Sequence, residues 1–261
     1  MAKDQSSNYL IFPPAETLEG IVNHFWISKR DSREDKNITY HATANTRTAV
    51  VFAFKKHPDE RLKLLCSLVQ GQTHRFSHYP AHGFDEVLGI SLHPRAIPGI
   101  FNVPASDLNH QFIRLESLLD YEGRLLNETI ANAISMEMRI KTLTCFFKRK
   151  LAKSSFDDEL MAQALKQVRI QQGMVNIKEL AREFHLSTKQ FDRRFKAYAG
   201  FNPKLYARIV RFESVLENHG KYDSFTDMAL MHGYYDQAHF ISDFRQFSGF
   251  SPKQFFALSN H

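Results

Sequence analysis

Ten side chains in the last third of this 261-residue sequence have the types and spacing to contact a nucleic acid. They are Thr188, Lys189, Asp192, Arg193 and Lys196, followed by Gln237, Ala238, Ile241, Ser242 and Arg245. At helical spacing Phe191 and Phe195 turn one way and leave the first group on the opposite face; Phe240, Phe244 and Phe247 do the same for the second. Lys and Arg neutralise phosphates, and Arg, Gln, Ser and Asp hydrogen-bond base edges. The first group carries three cations and the second only Arg245, so the first should grip harder.

A second set could bind metal. His74, His78 and His82 lie four residues apart, but Pro80 breaks any helix that would align them, and a loop or strand gives that spacing no defined ligand geometry. A histidine-rich surface loop is the plainer reading. Cys66 and Cys145 are the only cysteines, far apart and without metal-ligand spacing, so neither a disulfide framework nor a structural zinc site is indicated. No GxSxG and no phosphate-cradling glycine loop is present. Enzyme activity is not expected, nor is any metal or cofactor. The alternative is a cupin-like, metal-dependent enzyme or metal sensor using His41 with the 74–82 histidines.

The elements that must position the ten residues are visible as an internal duplication. Shifted by 49 positions, Phe191 falls on Phe240, Phe195 on Phe244, and Gly200, Phe201, Pro203 and Lys204 on Gly249, Phe250, Pro252 and Lys253. Upstream the shift becomes 48, placing Leu180 on Met228 and Ala181 on Ala229, so the second copy has one extra residue in its turn. In the first copy Asn176 and Glu179 can cap a short helix with the stripe Ile177, Leu180, Ala181 and Phe184, and Ser187 with Gln190 can cap the next. Ser224 with Asp227, then Asp236, repeat the plan. Gly200 and Gly249 stop the second helix of each copy, and Asn202 with Pro203 starts another. The short turn is that of a helix-turn-helix, and Ala181 lets two steeply crossing helices approach. The 203–219 stretch reads as one long helix joining the copies, which would hold two reading helices about 34 Å apart, the spacing of successive major grooves. Paired amphipathic helices also build ordinary bundles, and exposed Lys and Arg are usually a solvated face. Duplication, short turns and clustered charge together favour the reader.

The formal net charge is +6. Residues 154–261 hold 14 Lys and Arg against 12 Asp and Glu, whereas 188–211 alone holds seven bases and one acid. No apolar run spans a bilayer, and the start lacks the pattern of a secretory signal, so the cytoplasm is the expected location and no membrane partner is foreseen. Short β-branched and aromatic runs at 24–27, 48–54 and 88–92 predict a mainly β domain, a small barrel or cupin-like fold. From about Ser117 helical spacing returns, with Ile130, Ile134, Met138, Thr142 and Phe146 as one stripe that closes a core or forms a dimer seam. The polar stretch 148–158 is the expected linker. The fold class is α+β multidomain: a β-rich sensor or dimerisation domain over 1–115, a helical connector over 116–153, and an all-α reader of two helix-turn-helix units over 154–261.

The two segments IKELAREFHLSTKQFDRRFKAYAGFNPKLY and MALMHGYYDQAHFISDFRQFSGFSPKQF resemble the DNA-binding domain of the AraC/XylS family of bacterial transcription regulators. The resemblance implies two helix-turn-helix subdomains on a linker helix. It carries base contacts onto Lys189, Asp192, Arg193, Gln237, Ile241, Ser242 and Arg245. Asp192 departs from the neutral or basic residue expected there; it can accept from a cytosine amino group, or it weakens binding. Trp26, GISLHP at 89–94 and VPASDL at 103–108 resemble the N-terminal domain of a subgroup of that family, implying a ligand-sensing or dimerising unit. The expected partners are double-stranded DNA, a small-molecule effector and a second copy of the chain. For an activator, RNA polymerase is added. A third reading makes 117–150 a dimerising module with DNA binding secondary.

Overall fold

The runs that were most apolar in sequence form the middle of a sheet. In the computed structural model, which describes residues 8–29, 39–59, 61–80, 83–153, 158–222 and 224–259, strands β1 (Asn8–Phe12) and β2 (Val22–Lys29) are followed by β3 (Thr39–Ala42), β4 (Thr48–Lys56) and β5 (Leu62–Gln70). Next come β6 (Ser77–Pro80), β7 (Glu86–Leu92) and, beyond helix α1 (Ala96–Phe101), β8 (Phe112–Arg114). Six strands make one sheet in the order β1-β2-β7-β4-β5-β8, antiparallel throughout, and β3 pairs with β6 in a two-stranded ribbon. The expected runs at 24–27, 48–54 and 88–92 are β2, β4 and β7. Every residue of β7 is buried, as befits a strand flanked on both sides. Trp26 lies opposite Gly89; a Cβ there would meet the indole at 2.0 Å, so only glycine lets the ring lie flat on the strand.

One face of the sheet supplies Phe25, Ile27, Val50, Phe52, Leu88 and Ile90 to a core completed by helices α2 (Leu115–Asn132) and α3 (Met136–Ala152) through Leu119, Leu126, Ile130, Leu143, Phe146 and Phe147. The stripe expected through Ile130, Ile134, Met138, Thr142 and Phe146 is not continuous. Helix α2 ends at Asn132, and Ser135 caps a new helix by accepting from the Met138 amide at 3.2 Å, which resets the helical phase. Ile130 and Phe146 are therefore buried, while Ile134 is 91% and Met138 47% exposed. Arg139 closes the break: its Nε donates to the Ile130 carbonyl at 3.2 Å and its guanidinium lies over the Phe54 ring.

The expected linker is partly helical, since α3 continues to Ala152, and Asp158 already belongs to the next element as the cap of α4 (Glu159–Ile170). Residues 154–157 lie outside the described part. A second core follows, built by α4, α5 (Ile177–Glu183), α6 (Thr188–Ala199), α7 (Pro203–Asn218), α8 (Phe225–Met231), α9 (Gln237–Ser248) and α10 (Pro252–Ser259). Phe191, Phe195, Tyr206, Phe212, Phe240, Phe244 and Phe247 are its largest fully buried side chains. Among the described residues no helix is long and apolar enough to cross a membrane.

Candidate nucleic-acid interface

Each copy of the duplication folds as two helices on a tight turn. Asn176 accepts from the amides of Lys178 and Glu179 to start α5, and Ser187 opens α6 with a reciprocal box: its side chain accepts from the Gln190 amide while the Gln190 side chain accepts from the Ser187 amide at 3.1 Å. Ser224 accepts from the Asp227 amide at 3.1 Å to start α8, and Asp236 from the His239 amide at 2.7 Å to start α9. The turns span residues 184–187 and 232–236, so the extra residue inferred from the shift lies in the second. Ala181 and Ala229 are both buried where the paired helices cross. Gly200 ends α6 at φ +91 and Gly249 ends α9 at φ +81, backbone geometry that disfavours any side chain. Asn202 caps α7 through the Leu205 amide at 2.9 Å, with Pro203 in its first turn. This 16-residue helix spans about 24 Å.

The ten sequence-selected residues lie on α6 and α9. Thr188, Lys189, Asp192, Arg193 and Lys196 are exposed on α6, and Gln237, Ala238, Ser242 and Arg245 are exposed on α9. Ile241 differs: it is half-buried and packs against the second core, so it offers only an edge to the outer face.

The basic cluster at 188–211 is less available than its count of seven suggests. Arg194 turns back to Asp158, with Nη2 to Oδ1 at 2.7 Å. Arg208 makes the matching clip in the second unit, Nη2 to the buried Asp243 carboxylate at 2.6 Å, and that bond holds the guanidinium pKa above its usual value. Arg211 donates to the carbonyls of Gly233 and Gly173 at 3.2 and 3.3 Å. These three tie the units to the linker helix and to α4, leaving Lys189, Arg193, Lys196 and Lys204 exposed for an anion. Sequence reading missed the clips, because Asp158 and Asp243 lie 36 and 35 residues from the arginines they hold and Arg211 meets only backbone carbonyls.

The histidines separate into two pairs. His41 Nδ1 and His78 Nδ1 are 3.4 Å apart, and His74 Nδ1 and His110 Nε2 are 2.6 Å apart, the latter pair with pKa values lowered chiefly by burial. His82 lies outside the described residues. Among the described residues no group of three His, Cys, Asp or Glu is assembled that could hold a metal ion.

Residues 180–257 match the family described as Helix-turn-helix domain, and residues 10–114 match Domain of unknown function (DUF6597). No curated protein matches the sequence. Two solved structures are similar to this chain. ToxT from Vibrio cholerae strain SCE256 with unsaturated fatty acid bound aligns over 99% of this chain and 98% of that one at 12% identity and TM-score 0.50. ToxT from Vibrio cholerae O395 aligns over 98% of each at 11% identity and TM-score 0.47. Duplicated scaffold, uncovered outer faces on α6 and α9 and the family match agree: the C-terminal part of this chain is an AraC-type helix-turn-helix domain.

Proposed function

We propose that α6 and α9 enter successive major grooves on one face of a duplex, so that a single chain reads two adjacent half-sites. One observation carries this. Of the ten residues named from sequence, nine are exposed on the outer faces of the two equivalent helices, while the inner faces are locked into one core. Lys189, Arg193, Lys196 and Arg245 supply the cations; Thr188, Asp192, Gln237 and Ser242 supply the neutral and acidic hydrogen-bonding groups; Ala238 and Ile241 supply apolar surface.

The working division is a sensor or dimerisation unit at 1–115, a helical connector at 116–153 and the reader at 154–261. A small-molecule effector on the N-terminal unit is supported by the fatty acid bound in the ToxT structure of the same fold. The protein acts in the cytoplasm without catalysis, and RNA polymerase is its partner where it activates. Binding to promoter DNA should weaken steeply with salt. Arg193→Ala and Arg245→Ala should each lose affinity by roughly 1–3 kcal/mol; unchanged affinity in both variants would remove α6 and α9 from the reading role.

A further inference from the structure

Among the described residues, hydrogen bonds join the N-terminal unit to the reader at three places, and two of them are the same place in the duplication. At the end of α6, Asn109 Nδ2 donates to the Gly200 carbonyl at 2.6 Å, and the Gln72 Oε1 atom fills the space a Cβ at position 200 would need, 1.8 Å from it. At the end of α9, the Ala44 amide donates to the Phe247 carbonyl at 2.8 Å and His41 Nε2 to the Ser248 carbonyl at 2.7 Å. There the Phe76 ring lies 2.8 Å from where a Cβ of Gly249 would sit, and His41 packs on Phe250 with ring centroids 5.0 Å apart. Gly200 and Gly249 are equivalent under the 49-residue shift. The third place is the middle of α7, where Thr46 bonds Glu213.

The gripping loops are bonded to one another. The Asn45 amide donates to the Thr73 carbonyl, Gln72 Nε2 to the Thr46 carbonyl, and the His110 amide to the Gln72 carbonyl, at 2.9, 2.6 and 2.9 Å. Ala44 is itself part of the second core. A helix-turn-helix reads bases from the N-terminal part of its second helix. The grip is at the C-terminal ends and leaves the reading residues of both helices uncovered.

We propose that the N-terminal unit is a brace that holds the two helix-turn-helix units at one separation, with and without DNA, by gripping the equivalent Gly-Phe turn of each. Any change in the N-terminal unit then reaches both reading helices through the 41–46, 72–76 and 105–110 loops together. This rests on α6 and α9 being the reading pair.

Pulsed electron-spin distance measurement tests it, on the full chain with Cys66→Ser and Cys145→Ser and with spin labels at Lys178→Cys and Thr226→Cys, exposed positions off the reading faces. The parent should give one narrow distance that mixed-sequence duplex DNA at low salt leaves unchanged. Asn109→Asp with His41→Ala should broaden the distribution severalfold, and Asn109→Asp alone should broaden it in part. Either an unaltered distribution in both variants or a shifted parent distance on DNA binding overturns the brace. A gel shift of the same samples reports DNA binding separately, so failure of the reader and failure of the brace are distinguishable.

Discussion

Thr46 and Glu213, 167 residues apart, are joined by two donors to one carboxylate: the Thr46 amide reaches Oε1 at 2.8 Å and its hydroxyl lies 2.9 Å from both oxygens. Arg169 adds its Nη1 at 3.4 Å from Oε2. The carboxylate is buried, so removing it strands both donors of Thr46 and the charge of Arg169. Glu213→Ala should destabilise the fold by roughly 3–5 kcal/mol, measured by urea unfolding. A loss under about 0.5 kcal/mol, the range of ordinary surface substitutions, would mean that this joint contributes little.

Asp192 is exposed between Lys189 and Arg193 on the face proposed to meet DNA. A carboxylate there repels phosphates and can accept only from a base amino group. Asp192→Asn should tighten binding to mixed-sequence DNA severalfold, read by fluorescence anisotropy at fixed salt. Weaker binding to every duplex tried would show instead that the acid makes a favourable contact.

His93 sits close to the same joint, and burial first, with Arg169 and Arg47 next, pushes its pKa down from 6.5 to about 4. The folded value lies below the unfolded one, so the folded chain resists protonation. The stability this position contributes is complete above pH 6.5 and is lost as pH falls toward 4, at up to about 1.4 kcal/mol per pH unit. His24, His74, His110 and His232, also lowered, act in the same direction. His93→Gln should make the decline across this window shallower in denaturation series at several pH values; identical slopes would contradict the assignment.

What sequence reading could see was whatever local chemistry determines. The caps at Asn176, Ser187, Asn202, Ser224 and Asp236 each accept from an amide within three residues, so their pattern is written in short segments. The runs in β2, β4 and β7 were legible because these strands lie inside the sheet and carry β-branched and aromatic residues, β7 being buried at every position. The inner strand β5 interrupts its apolar residues with Lys, Cys, Ser and Gln, and the edge strands β1 and β8 and the ribbon β3-β6 are only three to five residues long, so none left such a trace. The stripe through Ile134 failed because Ser135 caps a new helix, and one cap shifts every later residue to another face. The joints at Thr46–Glu213, Arg208–Asp243 and Asn109–Gly200 link positions far apart in the chain. A single sequence shows an Arg or an Asp there but not which partner it meets, which is why Arg194, Arg208 and Arg211 were counted toward the DNA-facing charge.

The central claim is that one chain reads two adjacent major grooves through α6 and α9. Hydroxyl-radical footprinting of the full chain on its promoter DNA tests it most directly. The account predicts two protected patches on one face of the duplex, about one helical turn of 34 Å apart, with Arg193→Ala weakening one patch and Arg245→Ala the other. A single patch, or two patches that both variants leave at full strength, would contradict it.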